Sequence, residues 1–251
     1  MTPSRWPAVL WLVRHGESVG NLAYAAAEAA CATVIVLEGR DVDVPLSELG
    51  ERQASALGAW FRTQPTANRP TVVVSSPYLR AVQTAQRVVE AAEIRGVLAR
   101  TDERLREKEF GTLNRLTSAG ILATFPEEAR RRAEIGKFYY RPPAGESWCD
   151  VVLRLRSVLD DLQLRYAGER VLLVAHQVVV LCFRYIMEEL DEAELLQIDR
   201  AGEVANCSLT TFIEDGSGAR LGMSLESYNV VAPIEDAGEP VTDAPDIAVK
   251  R

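Results

Sequence analysis

Three short runs of the chain are almost wholly apolar: Ala8 to Val13 (AVLWLV), Thr71 to Val74 (TVVV) and Val171 to Ala175 (VLLVA). They are too short for buried helices and lack the alternation of a half-solvated strand. A strand that is apolar on both sides needs cover on both sides, so the runs predict a sheet between two layers of helices. The intervening segments supply those helices. Ser47 caps one, with Pro45 just outside it and Ala54, Leu57, Trp60 and Phe61 at helical spacing. A second follows Pro77 over Tyr78 to Ala92. A third, capped by Ser147, carries Val151, Val152, Leu155, Val158, Leu159 and Leu162 as a stripe, and a fourth follows His176 to about Glu189. Segments 204–213 and 221–230 predict two further strands. The expected fold is therefore a three-layer α/β arrangement, with a mostly parallel central sheet and helices on both faces.

No repeat or linker divides the 251 residues, which predicts a single domain over 1–234. Two segments stand out within it: an Ala-rich helical insertion at about 20–45 and a polar, cap-like segment at about 112–143. The insertion either covers a pocket or packs its alanines on the domain. The tail, 235–251, holds Pro, Gly and Asp without periodicity and is expected to be poorly ordered.

In sheets of this kind ligands bind beyond the carboxyl ends of the strands. Here the three runs end in Arg14-His15-Gly16, Ser75-Ser76-Pro77 and His176. The chain has only two histidines, and both stand at such an end. Neutral imidazole is a competent nucleophile toward phosphorus near neutral pH. A phosphoryl group in transfer needs a cationic clamp, which Arg14, beside His15, and Arg80, one turn beyond Pro77, are placed to supply. The leaving oxygen needs a proton, for which the carboxyls of Glu103, Glu107 and Glu109 are all candidates.

Composition narrows the class of partner. A net charge of −8 argues against nucleic-acid binding. The scattered Cys31, Cys149, Cys182 and Cys207 form no zinc or disulfide pattern, and no apolar run is long enough to span a bilayer. A cytoplasmic enzyme acting on a small phosphorylated metabolite is expected, with neither nucleic acid nor membrane as partner. Oligomeric state is left open, a homodimer included.

Leu12-Val13-Arg14-His15-Gly16-Glu17-Ser18 followed by Asn21 resembles the signature of the histidine phosphatase, or phosphoglycerate mutase-like, superfamily. So do Pro45 to Gly50 with Gln53-Ala54, Ser75 to Ala85, Leu105-Arg106-Glu107 through Phe110-Gly111, Gly145-Glu146-Ser147 and Val174-Ala175-His176, in order over about residues 8–213. The resemblance implies that His15 is phosphorylated, that Arg14, Arg80 and His176 hold the phosphoryl oxygens, and that Glu107 is the acid and base. It implies a phosphate or loop contact for Asn21 and no metal or cofactor.

Two branches are similar in detail. Gln177 after the second histidine, and Lys137 to Arg141 before Pro-Pro-Ala-Gly-Glu-Ser, resemble the fructose-2,6-bisphosphatase branch, although the arginine that branch carries is Leu181 here. Lys137 to Arg141, the acid block and Asn206-Cys207 are also similar to broad-range acid phosphatases. Gln177, Lys137 and Arg141 are thus candidates for binding the rest of the substrate, with a solvated helix end as the alternative for the last two. A phosphomonoesterase working through phosphohistidine is the leading expectation. A mutase is weakened by the lack of a long basic insertion before Gly-Glu-Ser. The third option is an inactive relative that binds phosphorylated ligands.

Overall fold

The structure is a computed structural model that describes residues 5–94, 96–97, 99–214 and 222–245. Six strands form one mixed sheet. In chain order the elements are β1 (Val9–Arg14), α1 (Val19–Ala29), α2 (Glu48–Thr63), β2 (Val72–Ser75), α3 (Leu79–Ala91), β3 (Ala99–Thr101), α4 (Ser118–Thr124), α5 (Pro126–Ile135), α6 (Trp148–Arg165), β4 (Arg170–Ala175), α7 (Gln177–Met187), α8 (Glu192–Ala201), β5 (Leu209–Glu214), β6 (Met223–Val230) and α9 (Ala232–Glu235). The strand order is β3-β2-β4-β1-β5-β6. Pairing is parallel from β3 through β1 and antiparallel for β5 and β6.

The three apolar runs are the central strands. Their alternate residues divide two cores, as the period-2 geometry of a strand requires. Leu10, Leu12, Val171 and Leu173 pack against α6 and α7 through Val151, Leu155, Val158, Val179 and Phe183. Trp11, Val13, Leu172 and Val174 face α2 and α3 through Ala54, Leu57, Phe61, Ala81, Ala85 and Val88. Each large side chain so buried stabilises the fold by about 1.5–3 kcal/mol before entropy is counted. No helix among the described residues is long and apolar enough to cross a membrane.

Four features differ from the sequence reading. Strand β3 has three residues, and its side chains are largely exposed at the sheet edge, so no apolar pattern announces it. Helix α8 lies in a segment where no element was expected. Segment 204–208 is a turn preceding β5, with Cys207 at φ 53, and only the later part of 204–213 is strand. The tail from 235 is not loose where it is described. After a turn at 236–238 it runs to Pro245, held by hydrogen bonds from Gln53, Asn206, Arg14 and Asn21. Polar anchoring of this kind leaves no apolar periodicity to read. Residues 246–251 of that tail lie outside the described residues.

The insertion at 20–45 forms α1, a loop and a short 3-10 turn at Asp41–Asp43. It meets the cap-like segment through an isolated bridge between Val34 and Leu116 and through Arg115, which donates to the carbonyls of Leu37 and Gly39.

Candidate active site

Sheet register brings the two histidines together. Parallel pairing sets Arg14 beside Ala175 and Val174 beside Ser75. His15 and His176 each follow one member of the first pair, so they leave the sheet at the same level. Their ring centroids are 5.2 Å apart, inclined at 65°. The backbone N–H of His15 donates to Ala175 O at 3.0 Å, and that of Ser76 to Val174 O at 2.8 Å. Asn206 Nδ2 donates to His15 O at 2.9 Å, which closes the strand end from the β5 side.

The loop after His15 is fixed by close backbone packing. A Cβ on Gly16 would meet Gly50 O at 2.5 Å, and one on Gly50 would meet Glu17 O at 1.9 Å, so both positions exclude a side chain. Gly16 N donates to Thr84 Oγ1 at 3.0 Å, Glu17 N to Gln53 Oε1 at 2.9 Å, and Ser47 Oγ to Glu17 Oε1 at 2.6 Å. These bonds tie the loop to α2 and α3. Asn21 has two roles: its Oδ1 accepts from Ser18 N in the capping box of α1, while its Nδ2 donates to the carbonyls of Ala244 and Pro245.

The hydrogen-bond donors around His15 assign its tautomer. Arg80 Nε can only donate, and it lies 3.3 Å from His15 Nε2. Gly16 O can only accept, and it lies 2.7 Å from His15 Nδ1. The proton is therefore on Nδ1, and Nε2 carries a lone pair beside a guanidinium. Arg80 is buried on α3. Its Nη1 donates to the carbonyl and carboxylate oxygens of Asp41 at 2.9 and 3.2 Å, and among the described residues its Nη2 has no hydrogen-bond partner. Arg14 Nη1 donates to Val204 O at 2.6 Å and Nη2 to Ala244 O at 2.5 Å.

Glu107 is also sealed from solvent, at 2% exposure. Its Oε1 accepts from Lys108 N at 2.7 Å, and its Oε2 stands 3.9 Å from His176 Nδ1. Of the three candidate carboxyls it is the one at the histidine pair. Glu109 accepts from Tyr78 Oη, and Glu103 lies in the preceding 3-10 turn. His176 Nε2 lies 2.8 Å from Ser76 Oγ, and the Tyr78 ring packs edge-on at 5.2 Å. Burial and the nearby Glu109 push the Tyr78 hydroxyl pKa up, so this wall of the site is a neutral phenol.

His15, His176, Arg80 and Glu107 thus meet, and Arg14 and Asn21 share the carbonyl of Ala244. The remaining candidates are otherwise engaged. Gln177 Nε2 donates to Glu203, Lys137 pairs with Asp199 at 2.6 Å above the Trp148 ring, and Arg141 is exposed and paired with Asp150 at the start of α6. Ser76, Thr84, Asn206 and Lys108 were not singled out from sequence as site residues. Ser76, Thr84, Lys108 and Asn206 sit inside quoted motifs, the one available signal. Lys108 is buried with its Nζ 4.1 Å from the Phe110 ring centroid, and burial pulls its pKa down to about 8.

Paired imidazoles and guanidiniums at the carboxyl edge of such a sheet define a protein of the phosphatase or phosphotransferase class. The chain belongs to the histidine phosphatase superfamily (branch 1), whose pattern matches residues 10–224. It is 30% identical over 234 residues to a 2,3-bisphosphoglycerate-dependent phosphoglycerate mutase of Gloeobacter violaceus, covering 90% of this chain and 94% of the relative. It is 33% identical over 193 residues to a 6-phosphofructo-2-kinase/fructose-2,6-bisphosphatase of Caenorhabditis elegans, covering 77% of this chain but only 37% of that longer protein. Among solved structures, a mycobacterial glucosyl-3-phosphoglycerate phosphatase complexed with VO3 superposes with a TM-score of 0.67 at 27% identity, covering 89% of this chain and 99% of the other. YhfR of Bacillus stearothermophilus superposes with a TM-score of 0.71 at 26% identity, covering 90% and 98%.

Proposed function

We propose that the protein hydrolyses phosphomonoesters of small metabolites through a phosphohistidine on His15. The observation that carries this reading is the pair of contacts at His15, Nδ1 to Gly16 O at 2.7 Å and Nε2 to Arg80 Nε at 3.3 Å, which makes Nε2 the nucleophilic nitrogen. In the first half-reaction Nε2 attacks phosphorus, the phosphorus–oxygen bond to the leaving group breaks, and Glu107 gives its proton to the departing alkoxide. Arg14, Arg80, His176 and Asn21 Nδ2 hold the equatorial oxygens, where charge accumulates. In the second, water attacks the phosphohistidine, Glu107 takes its proton, the nitrogen–phosphorus bond breaks, and inorganic phosphate leaves.

A mutase is the second reading, supported by the similarity to the Gloeobacter enzyme over nearly the whole chain. Hydrolysis weighs more because the chain has no long basic insertion before Gly145-Glu146-Ser147, and the chain is also similar to a mycobacterial phosphatase over 89% of its length. The test is p-nitrophenyl phosphate turnover by the purified chain and its His15→Ala variant, with acid quenching to trap a labile phosphoenzyme. Hydrolysis and the trapped adduct are both expected to vanish in the variant, by at least about 10⁴-fold for the rate. Turnover that survives His15→Ala would overturn the reading. A rate that depends on added bisphosphate, with phosphate returned to an organic acceptor, would favour the mutase.

A further inference from the structure

Two of the groups assigned above to phosphate, Arg14 and Asn21, are already occupied by the chain's own backbone. The carbonyl oxygens of Asp243 and Ala244 accept from Arg14 Nη1 and Nη2 at 3.4 and 2.5 Å, and those of Ala244 and Pro245 accept from Asn21 Nδ2 at 2.8 and 3.0 Å. His15, His176 and Arg14 each expose 0% of their surface. A phosphate ester cannot reach a nucleophile so enclosed unless part of the enclosure moves.

The segment that occupies Arg14 and Asn21 is held by polar contacts. Its anchors are polar: Gln53 Nε2 donates to Pro240 O and Thr242 Oγ1, Asn206 N donates to Thr242 O, Thr242 Oγ1 donates to Asn206 Oδ1, and Arg52 pairs with Glu239 at 2.9 Å. Val241 is 40% exposed, and no side chain from 239 to 245 is in either large core. A segment without apolar burial opens at low free-energy cost, independently of the fold.

We infer that Glu239–Pro245 is a self-inhibitory strap, whose carbonyls stand in for phosphoryl oxygens at Arg14 and Asn21 and are displaced by the substrate's phosphate. The inference rests on the phosphatase reading and adds a competition to it. A neutral carbonyl offers a guanidinium only a dipole, whereas a phosphate dianion offers full charge and a bidentate fit, so phosphate wins when it arrives. The strap lowers apparent affinity by the fraction of time it is open, and weakening its anchors removes that factor.

The test uses the full-length chain and orthovanadate as the phosphate probe. Glu239→Ala/Thr242→Val removes two anchors while leaving Arg14, Asn21 and His15 in place. Calorimetric titration is expected to show vanadate binding about tenfold more tightly in the variant than in the wild type. Hydrogen exchange of the wild-type chain supplies a readout that needs no variant: amides of 239–245 and of Asn206 are expected to exchange faster when vanadate is saturating. Equal or weaker vanadate binding by a folded variant, or strap exchange that is unchanged or slowed by vanadate, would overturn the inference. If neither chain binds vanadate, the phosphoryl-pocket reading itself fails and the strap fails with it.

Discussion

Glu107 Oε2 and His176 Nδ1 stand 3.9 Å apart, both side chains closed to solvent. The gap exceeds a hydrogen bond, but at this depth the two charges strongly influence each other. A proton on the imidazole favours the carboxylate, and a phosphate dianion held against the imidazole favours the carboxylic acid.

Replacing Glu107 by Gln removes that proton donor at nearly constant shape. Hydrolysis of an alkyl phosphate is expected to fall by about 10²–10⁴-fold, and that of p-nitrophenyl phosphate, whose leaving group needs little protonation, by much less. Comparing kcat/KM for the two substrates checks this. Relative rates matching wild type would refute the assignment.

Ser76→Ala deprives His176 Nε2 of its partner at 2.8 Å. Losing a buried hydrogen bond costs about 0.5–1.5 kcal/mol, and on the proposed mechanism that loss falls on the placement of His176 against phosphate. The expected result is a loss of up to about tenfold in kcat/KM that Ser76→Thr largely restores. Failure of Thr to restore activity would point to a merely structural hydroxyl.

Gly50→Ala places a methyl 1.9 Å from Glu17 O, inside the loop that follows the nucleophile. Overpacking against backbone costs on the order of 3 kcal/mol and displaces the loop. Urea denaturation should show that loss, together with reduced kcat. A variant as stable and active as wild type would mean the two backbones do not meet.

Lys108 is held below its ordinary pKa, at about 8, by burial. The unfolded chain keeps it near 10.5 and therefore binds more protons between these values, so its contribution to stability rises with pH across that window. Below about pH 8 the charge is buried at its full cost, of order 3 kcal/mol. Lys108→Met is expected to stabilise the fold at pH 7 by up to about that amount, with the gain shrinking as pH climbs from 8 to 10.5. Chemical denaturation at pH 7 and pH 10 measures the difference, and a gain independent of pH would exclude this origin.

Much of the site was legible because its residues lie beside strong local signals. His15 and His176 each follow one of the three apolar runs, and Arg80 lies just after a proline that precedes α3. Glu107 could not be separated from Glu103 and Glu109 by pattern alone, because the three share one irregular segment and differ only in direction. Ser76 and Asn206 belong to motifs, but which atom each contacts depends on a strand pairing far away in sequence.

By itself the sequence determined what local physical chemistry determines: apolar runs that must be covered on both sides, capping residues that start helices, and reactive side chains at strand ends. Only the tertiary structure decided what depends on register and on polar contacts between distant segments. The pairing of Arg14 with Ala175 set the two imidazoles side by side. The hydrogen bonds from Arg14 and Asn21 drew a tail without any apolar pattern across the site. Burial patterns are written in the order of residues along a strand or helix. A carbonyl that meets a guanidinium some 230 residues away leaves no trace in that order.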